Sequence, residues 1–402
     1  MQKNKRPSAA KPKESTEDKD DALAQALCDL AIELLEQEDS DSMHDSLKQK
    51  QSDFDKLIKK CLRQKEDDIL YEALERSKYA DEHAHQFLKG HIDEASEILI
   101  VRRDEGKTLE MNAFVIPMFV RTIGGLNAQQ CFQDQDAFDR LTKSLQEGKL
   151  ESQDAQVVLV SHAYHLDEID RITYSDLAEI LRDVLASMTE KKVRATPALE
   201  RSFSGWPENN FAPMDEVVEL RFLLGFALKA TDDSFYLVPE DEAAIDAYFA
   251  QREEYFQQWT EHMRPLVARC LVAVDRRIDV NFLYQDLFHG GKERGIAEHF
   301  MLQMMSALNH GLSEKGIMPD DVKAIVGPVD VDGEIAIKVV LTMKADGTQI
   351  ASYEKSVSGG QDLQSELDDV FDALGTLGMT SLFFAAGFDD SGVPINIRLY
   401  EF

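Results

Sequence analysis

Hydrophobic positions follow two different periods along the chain. Over residues 21–89 they recur at i, i+3 and i+4, the spacing of amphipathic helices that bury one face. The apolar stripes are Leu23, Leu27, Leu30 and Leu34; Phe54, Leu57, Ile58, Cys61 and Leu62; and Ile69, Leu70 and Leu74. We therefore predict a helical region at residues 21–92, preceded by a polar, disordered tail at residues 1–20.

Strand character begins at Ile98. Residues 98–101 and 109–120 predict a hairpin that turns around Gly106, and the second strand is apolar on both faces. A helix from Phe138, a buried strand at 157–160 and a helix with Leu177 in its stripe follow. Residues 93–194 are thus predicted as an α/β unit, and residues 195–213, rich in proline and glycine, as a loop or linker.

The rest of the chain, residues 214–402, shows the clearest alternation. One face of a predicted strand carries Val218, Leu220, Phe222, Leu224, Phe226 and Leu228. Residues 334–343 alternate strictly between two hairpin turns, Asp332-Gly333 and Asp346-Gly347. The pattern after residue 322 predicts a β-β-β-α-β-β unit. The fold class is therefore α+β: an N-terminal helical region followed by mixed or antiparallel sheets covered by helices.

An aromatic stripe marks a predicted helix that begins near Pro239 and Glu240. Its members are Ile245, Tyr248, Phe249, Phe256 and Trp259. Aromatic residues at helical spacing usually pack into a core rather than around a cofactor. We therefore predict that the whole stripe is buried, and that Pro265 starts or kinks the next helical segment.

Composition limits the classes of partner. The chain of 402 residues has 75 acidic residues against 44 lysines and arginines, a net charge of −31. This charge disfavours nucleic acid and anionic lipid and suits a partner with a basic surface. The exception is the tail, where five basic residues precede the first acid, Glu14. That tail alone is a candidate for contact with nucleic acid.

Four cysteines, Cys28, Cys61, Cys131 and Cys270, are widely spaced and form no Cys-x-x-Cys motif. This spacing argues against a zinc ribbon or a disulfide framework and favours a reducing compartment. The sequence shows neither a signal peptide nor an apolar run of about 18 residues. The prediction is a cytoplasmic protein without a membrane contact.

A glycine turn supplies the first candidate site. It comprises His289, Gly290, Gly291, Lys292 and Arg294, and it precedes a predicted helix. Backbone N–H groups and the helix dipole attract anions at such a position, and the two cations add positive potential. The spacing is not that of a P-loop. The alternative is a glycine turn that only leads into a helix.

A second candidate follows the predicted strand at 157–160. His162 and His165, with Asp167, Glu168 and Asp170 behind them, offer ligands for a divalent metal. The pair lacks the glutamate of a zincin motif. The alternative is a set of surface histidines beside acids.

The third candidate is the loop at 195–213. Arg201, Phe203 and Trp206 lie there, and exposed arginine and tryptophan dominate the energies of protein interfaces. They predict a partner-binding site, unless Trp206 anchors the loop to the core.

The segment Asp279-Val280-Asn281-Phe282-Leu283-Tyr284-Gln285-Asp286-Leu287-Phe288-His289 resembles a bacterial family known as domain of unknown function 2863. The resemblance implies no activity and no residue roles. It implies a bacterial cytosolic protein.

Motifs of catalysis are absent from the sequence. There is no Gly-x-Ser-x-Gly, no dinucleotide-binding fingerprint and no assigned base for any serine, so we predict no catalytic residue and no cofactor. The leading hypothesis is a non-enzymatic, intracellular binding or regulatory protein that recognises a protein partner. The alternative is an enzyme or sensor that binds a phosphorylated small molecule at the glycine turn.

Overall fold

A computed structural model gives the architecture. It describes residues 16–38, 45–102, 108–123, 126, 134–147, 155–189, 216–235, 237–271, 277–283, 290–331, 334–357, 363–389 and 391–400. Helices dominate the N-terminal part and strands the C-terminal part, which confirms the α+β class. Contacts divide the chain into a helical unit, residues 1–99 with 172–183, and a strand-rich unit, residues 100–171 with 184–402. The finer boundaries predicted above stay predictions.

The helical unit contains α1 (Thr16–Glu38), α2 (Asp45–Gln64), α3 (Asp67–Ala80) and α4 (Glu82–Glu97). The three predicted stripes meet in its core, where Leu27, Phe54 and Leu70 are fully buried. Asp81 caps α4 by accepting a hydrogen bond from the backbone N–H of Ala84 at 3.0 Å. α1 begins inside the range predicted as a tail, and residues 1–15 lie outside the described part of the chain.

The strand-rich unit begins with a five-stranded sheet. Its strands are β1 (Ile98–Arg102), β2 (Thr108–Ile123), β3 (Gln156–His165), β4 (Glu216–Ala230) and β5 (Ile278–Phe282). The order is β1-β2-β4-β3, and β5 also pairs with β2. β2 and β4 pair antiparallel over their full length, from Leu109 opposite Ala230 to Ile123 opposite Glu216. These two long strands form the centre of the sheet.

Four helices lie between or after these strands in the chain: α5 (Gln135–Glu147), α6 (Leu166–Ile169), α7 (Tyr174–Thr189) and α8 (Glu242–Cys270). α5, α6 and α8 belong to the strand-rich unit, whereas residues 172–183, which include most of α7, belong to the helical unit. α5 and the C-terminal half of α8 pack on one sheet face, where Leu141, Trp259 and Val267 join the core. The helix α8 continues through Pro265 without interruption. Leu237 and Val238, which lie before α8, are not part of a strand.

The second sheet of this unit follows α9 (Gly291–Glu314). Its elements are β6 (Val322–Val331), β7 (Glu334–Met343), β8 (Gln349–Ser356), α10 (Leu363–Thr376), β9 (Leu382–Phe384), β10 (Gly387–Phe388), β11 (Pro394–Ile395) and β12 (Arg398–Leu399). The strand order of this five-stranded sheet is β12-β9-β6-β7-β8, and β10 pairs with β11 in a separate two-stranded sheet. The alternating run at 334–343 is β7, as predicted. The β6–β9 pair is parallel and the others are antiparallel.

Two buried cysteines lead to a first testable expectation. Burial raises the pKa of the Cys61 thiol and of the Cys270 thiol to about 11. Since the thiolate is the reactive form, on the order of one thiol in a thousand is reactive at pH 8. We expect iodoacetamide to leave both cysteines unmodified in the folded protein and to alkylate both in denaturant, as measured by mass spectrometry. The variant Tyr79→Cys, at a 76% exposed position, is the reactive control; equal rates at all three sites would contradict the expectation.

Candidate functional site

Polar side chains gather at one end of the first sheet. We call His162, His165, Glu168, Glu219 and Arg221 the polar cluster. Both histidines lie at the end of β3. The pairing of β3 with β4 shifts its register between Leu159 and Ala163, and such an irregularity changes the direction of the side chains near it. α6 begins directly after β3, with His165 as its N-cap and Glu168 in its first turn. Glu219 and Arg221 come from β4, two residues apart on one face.

Glu168 is the centre of this polar cluster. Its Oε2 atom accepts the backbone N–H of His165 at 2.5 Å and lies 3.3 Å from Nε2 of His162. One guanidinium nitrogen of Arg221 lies 3.7 Å from the same oxygen. Another donates to Oε2 of Glu219 at 3.1 Å. A single arginine therefore serves two buried carboxylates.

The charges of the polar cluster are almost fully removed from solvent. Arg221 is 3% exposed, and Glu219 and Glu168 are 5% and 7% exposed. Within the described residues, Nε of Arg221 and Oε1 of Glu219 have no hydrogen-bond partner. Buried polar atoms of this kind are uncommon in proteins. The arrangement can hold charge and relay protons between its members, but the cluster has one more carboxylate than it has cations.

Two histidines, His165 in the polar cluster and His299 in α9, have lowered pKa values. Burial lowers the pKa of His165, and the positive charge of Arg221 lowers it further. Burial also lowers the pKa of His299 in α9, with a further contribution from His165. Both imidazoles therefore stay uncharged below the pH at which an exposed histidine takes a proton.

The lowered pKa values give stability a pH dependence with a definite sign. The unfolded histidines take protons near pH 6.5 and the folded ones only at lower pH, so the unfolded state binds more protons in between. We expect stability to be constant above about pH 7 and to fall as the pH drops below about 6.5. His165→Gln should flatten this fall in urea unfolding curves recorded between these pH values. His310→Gln, whose side chain is 72% exposed, is the control; an unchanged slope in His165→Gln would contradict the expectation.

The start of α9, which carries the glycine turn, contacts the residue that follows α6. Gly290 has a positive φ of 68° and precedes α9, which suits a residue without a side chain. Lys292 forms an ion pair of 2.7 Å with Asp170, which follows α6. The guanidinium of Arg294 lies 3.9 Å from Glu298. Both cations therefore already have acidic neighbours, and His289 lies outside the described residues.

Gly295 has a packing role. A Cβ atom there would approach Cβ of Pro117 to 2.7 Å, and the ring of Phe222 to 3.1 Å. The glycine lets α9 lie close to β2 and β4. Gly295 therefore serves the packing of α9 on the sheet, and the two hypotheses for the glycine turn stay predictions.

The proposed metal ligands have other partners. His162 lies against Glu168, and Nδ1 of His165 accepts the backbone N–H of Asp167 at 3.3 Å. Throughout the ranges that the structure describes, no group of three or more His, Cys, Asp or Glu side chains is arranged to hold a metal ion. Arg201, Phe203 and Trp206 lie outside those ranges, so the partner site predicted there stays a prediction.

The N-terminal half of α8 corrects the prediction for the aromatic stripe. Phe256 and Trp259 are buried as predicted, but Phe249 is 44% exposed, and Ile245 and Tyr248 are half-buried. Of the described side chains over residues 243–255, none is buried. The stripe is core in one half of the helix and surface in the other.

Leu237 and Val238, just before α8, extend this surface. They are 81% and 46% exposed. The backbone N–H of Leu237 donates to the hydroxyl of Tyr248 at 3.1 Å, and the rings of Tyr248 and Phe249 meet edge to face at 5.3 Å. We call Leu237, Val238, Ile245, Tyr248 and Phe249, with the carboxylates around them, the acidic–aromatic surface.

Carboxylates dominate the charge around these apolar side chains. Residues 237–255 contain six acidic residues and one basic residue, Arg252. The exposed acids are Glu240, Asp241, Asp246, Glu253 and Glu254. Exposed apolar groups within a strongly negative field are suited to an amphipathic, basic partner.

The helical unit has an acidic feature of its own. A cavity of about 340 Å³ is lined by Asp20, Asp21, Asp68, Ile69 and Glu72. Arg76 beside it donates to Glu72 at 2.8 Å and forms an ion pair with Asp21. The helical unit therefore has an acidic surface feature as well.

Fold and site together define an α+β protein with a helical unit, two five-stranded sheets and a buried ion cluster. Residues 12–348 match the family described as a protein of unknown function, DUF2863. The match covers most of the chain, so the chain belongs to this family, which confirms the resemblance noted in its sequence. No curated protein and no solved structure matches the chain. In the described part of the chain, no helix is both long enough and apolar enough to span a membrane.

Proposed function

We propose that this chain is a non-enzymatic binding or regulatory protein that recognises a protein partner through the acidic–aromatic surface. The observation that carries the proposal is the exposure of half a helix. Residues 242–255 of α8 extend for about 20 Å, and of their described side chains none is buried. The partner we propose is a basic, amphipathic segment.

Exposed apolar groups motivate the contact. Full burial of an exposed phenylalanine or leucine side chain contributes about 1.5–3 kcal/mol. Phe249 and Leu237, 44% and 81% exposed, would each gain part of this on binding. The hydrogen bond from Leu237 to Tyr248 fixes the preceding loop to the helix. A surface fixed in this way loses little conformational entropy when a partner binds. Alanines at 243, 244, 247 and 250 favour the helix without tertiary packing.

Charge selects the partner. Exposed carboxylates attract a basic segment and speed its association, and salt weakens this effect because the Debye length is about 10 Å at 0.1 M. Nucleic acid is disfavoured by the same field. The predicted contribution of Arg201, Phe203 and Trp206 would add a second contact to the same class of partner.

Photo-crosslinking in cells tests this proposal. We expect p-benzoylphenylalanine at position 249 to give one discrete adduct, and the same group at Tyr79, 76% exposed in the helical unit, to give none. Identical adducts at both positions would contradict the proposal.

Recovery of the crosslinked partner on immobilised protein tests the two components separately. Phe249→Ala keeps the charge and should weaken binding by about tenfold or more, equivalent to about 1.4 kcal/mol. Glu253→Gln with Glu254→Gln should weaken binding mainly at low salt. Recovery that neither salt nor these substitutions change would overturn the proposal.

A second candidate function is the binding of a phosphorylated small molecule at the glycine turn, as an enzyme or a sensor. The start of α9 favours it, because Gly290 has no side chain that could cap the first backbone N–H groups of the helix, and such groups attract an anion. A ligand should raise the melting temperature by mass action in a panel of nucleotides and sugar phosphates. Lys292→Ala should abolish the rise and the exposed-site control Lys323→Ala should keep it. A panel without any shift would contradict this candidate.

A cytoplasmic location in a bacterium completes the proposal. Cys28, Cys61 and Cys270 are free thiols, which favours a reducing compartment. Fractionation of cells that express the full chain tests this part, and recovery of the protein in an oxidising compartment would contradict it.

A further inference from the structure

The apolar stripe of α8 follows a period of seven residues. In the C-terminal half of the helix its buried members, at alternating spacings of three and four, are Phe256, Trp259, Met263, Leu266 and Cys270. The same spacing continues towards the N-terminus through Arg252, Phe249 and Ile245. We call these eight positions the α8 seam. Apolar residues at this spacing are the pattern with which one helix packs lengthwise against another.

One half of the α8 seam has a helix beside it. The indole N–H of Trp259 donates to Oγ of Ser144 in α5 at 2.8 Å. Arg269 forms an ion pair of 2.5 Å with Asp134, the residue before α5. These two contacts are ten residues apart on both helices and come in opposite order, so α5 and α8 run antiparallel. In this register the last residue of α5 lies level with Phe256, and the buried half of the seam therefore ends where α5 ends.

The exposed half of the α8 seam lies on the same face of the helix as the buried half. Ile245 and Met263 are eighteen residues apart, which is five full turns of an α-helix. The same interval separates Phe249 from Val267. Met263 and Val267 are 9% and 0% exposed, whereas Phe249 is 44% exposed and Ile245 is half-buried. The face that forms the core at one end of α8 is thus a surface at the other end.

The charges along this half exclude a second copy as the occupant. Paired helices form ion pairs between the positions beside their seams. Here those positions carry Asp246 and Glu253, both exposed, and the single base of residues 237–255 is Arg252, within the seam. In an antiparallel pair of two copies these acids would face each other, and in a parallel pair the two arginines would meet. Like charges oppose both arrangements.

We infer, on the basis of the proposed function, that the acidic–aromatic surface binds an α-helix of another protein, which lies along residues 242–255 in line with α5 and antiparallel to α8. Apolar residues at three-four spacing on that helix cover Ile245 and Phe249, and Tyr248 packs at the side of the contact. Leu237, whose backbone N–H donates to the hydroxyl of Tyr248, borders the same side. The pairing that α5 begins then extends over the whole of α8.

Charge defines the sequence of this partner helix further. Lysines or arginines beside its seam face Asp246 and Glu253. One carboxylate within its seam faces Arg252, because a buried cation without a partner is strongly unfavourable. A polar residue at a single seam position also fixes the register of two paired helices. The partner is therefore a basic helix with one acid among its apolar positions.

Binding of a synthetic peptide to the full chain tests the inference. The probe is a fluorescent helix of about 21 residues, three heptads, with leucine in its seam, lysine beside it and one glutamate to face Arg252. We expect it to bind at least about tenfold more tightly than a peptide of the same composition in shuffled order, and to gain helical circular dichroism on binding. Phe249→Ala should weaken binding about tenfold, and Tyr79→Ala, at a 76% exposed position in the helical unit, should not.

A charge exchange tests the position and direction of the helix. Asp246→Lys with Glu253→Lys should weaken binding of the lysine probe by about tenfold. A probe with glutamate at its own e positions should bind this variant again, since those positions face each other in an antiparallel pair. Glu254→Lys with Glu261→Lys changes the charge equally on the opposite face of α8, where both acids are exposed, and should keep the affinity within about threefold. Urea unfolding curves of all variants should coincide with that of the wild type.

The outcomes separate this inference from the proposed function. Equal binding of the ordered and shuffled peptides, or an exchange that restores nothing, would overturn the helical partner, while a discrete adduct at position 249 in cells would still support the proposed function. Irradiation of the purified chain with p-benzoylphenylalanine at position 249, without a peptide, should give no crosslink. An internal crosslink or a crosslinked dimer would show that the chain itself covers the seam and would overturn both.

Discussion

Replacing Arg221 with methionine is expected to lower the free energy of unfolding by about 3–5 kcal/mol, the cost of breaking a buried ion pair from one side. Methionine fills much of the volume of the arginine stem but leaves Glu168 and Glu219 buried without their cation. Arg221 is 3% exposed, so solvent cannot replace the lost partner. Urea unfolding followed by the fluorescence of Trp259, which is buried in the core of the same sheet, measures the change.

Two further variants show whether charge causes this loss. Adding Glu168→Gln and Glu219→Gln to Arg221→Met should recover most of the stability, because no buried carboxylate then lacks a counter-ion. The control Arg294→Met, whose side chain is 56% exposed, should change stability by no more than about 0.5 kcal/mol. A loss below about 1 kcal/mol in Arg221→Met, typical of a surface ion pair, would show that the cluster does not depend on its arginine.

The periodicity of apolar residues predicts the type of each element better than it predicts which of its faces is buried. The run 334–343 is a strand because its alternation matches the pleat, and Ile337, Val339 and Leu341 on one face are buried. Ala336 and Val340 on the opposite face are also buried, and Ile335 is 53% exposed. Period therefore shows which residues share a face. It does not show how far the neighbouring elements extend over that face.

The same limit explains the aromatic stripe of α8. Ile245, Tyr248 and Phe249 have the spacing of core residues, yet the packed half of the helix begins at Phe256. Which half meets α5 depends on where the sheet ends, and this is a property of tertiary structure. Six acids between Glu240 and Glu254, interspersed with the apolar positions, are the signal in the sequence that indicates an exposed half.

The polar cluster was only partly visible in the sequence. His162, His165 and Glu168 stood out as neighbours after a strand, but their arginine partner lies more than fifty positions later. Glu219 and Arg221 alternate with apolar residues, which is the pattern of a strand with one solvent-exposed face. The strand is buried on both faces. Opposite charges two residues apart in an otherwise apolar strand are the signal that indicates a buried ion pair.

The second large effect is expected at Lys355, in the second sheet. Lys355 on β8 and Glu366 on α10 form an ion pair, with side chains that are 4% and 11% exposed. Lys355 lies opposite Ile337, so it faces the core that α10 covers. Lys355→Met leaves the carboxylate of Glu366 buried and unpaired. We expect a loss of about 3–5 kcal/mol in urea unfolding.

A matched control lies on the other face of the same sheet. Lys338 pairs with Glu354 across β7 and β8 at 2.6 Å, and its partner is 46% exposed, so Lys338→Met should cost no more than about 1 kcal/mol. The double variant Lys355→Met with Glu366→Leu should recover the loss, because an apolar pair of similar volume replaces a buried ion pair at little cost. If Lys355→Met and Lys338→Met destabilise the protein equally, burial does not distinguish the two pairs. The difference between the two single variants thus measures what the helix α10 contributes by excluding water from one face of the sheet.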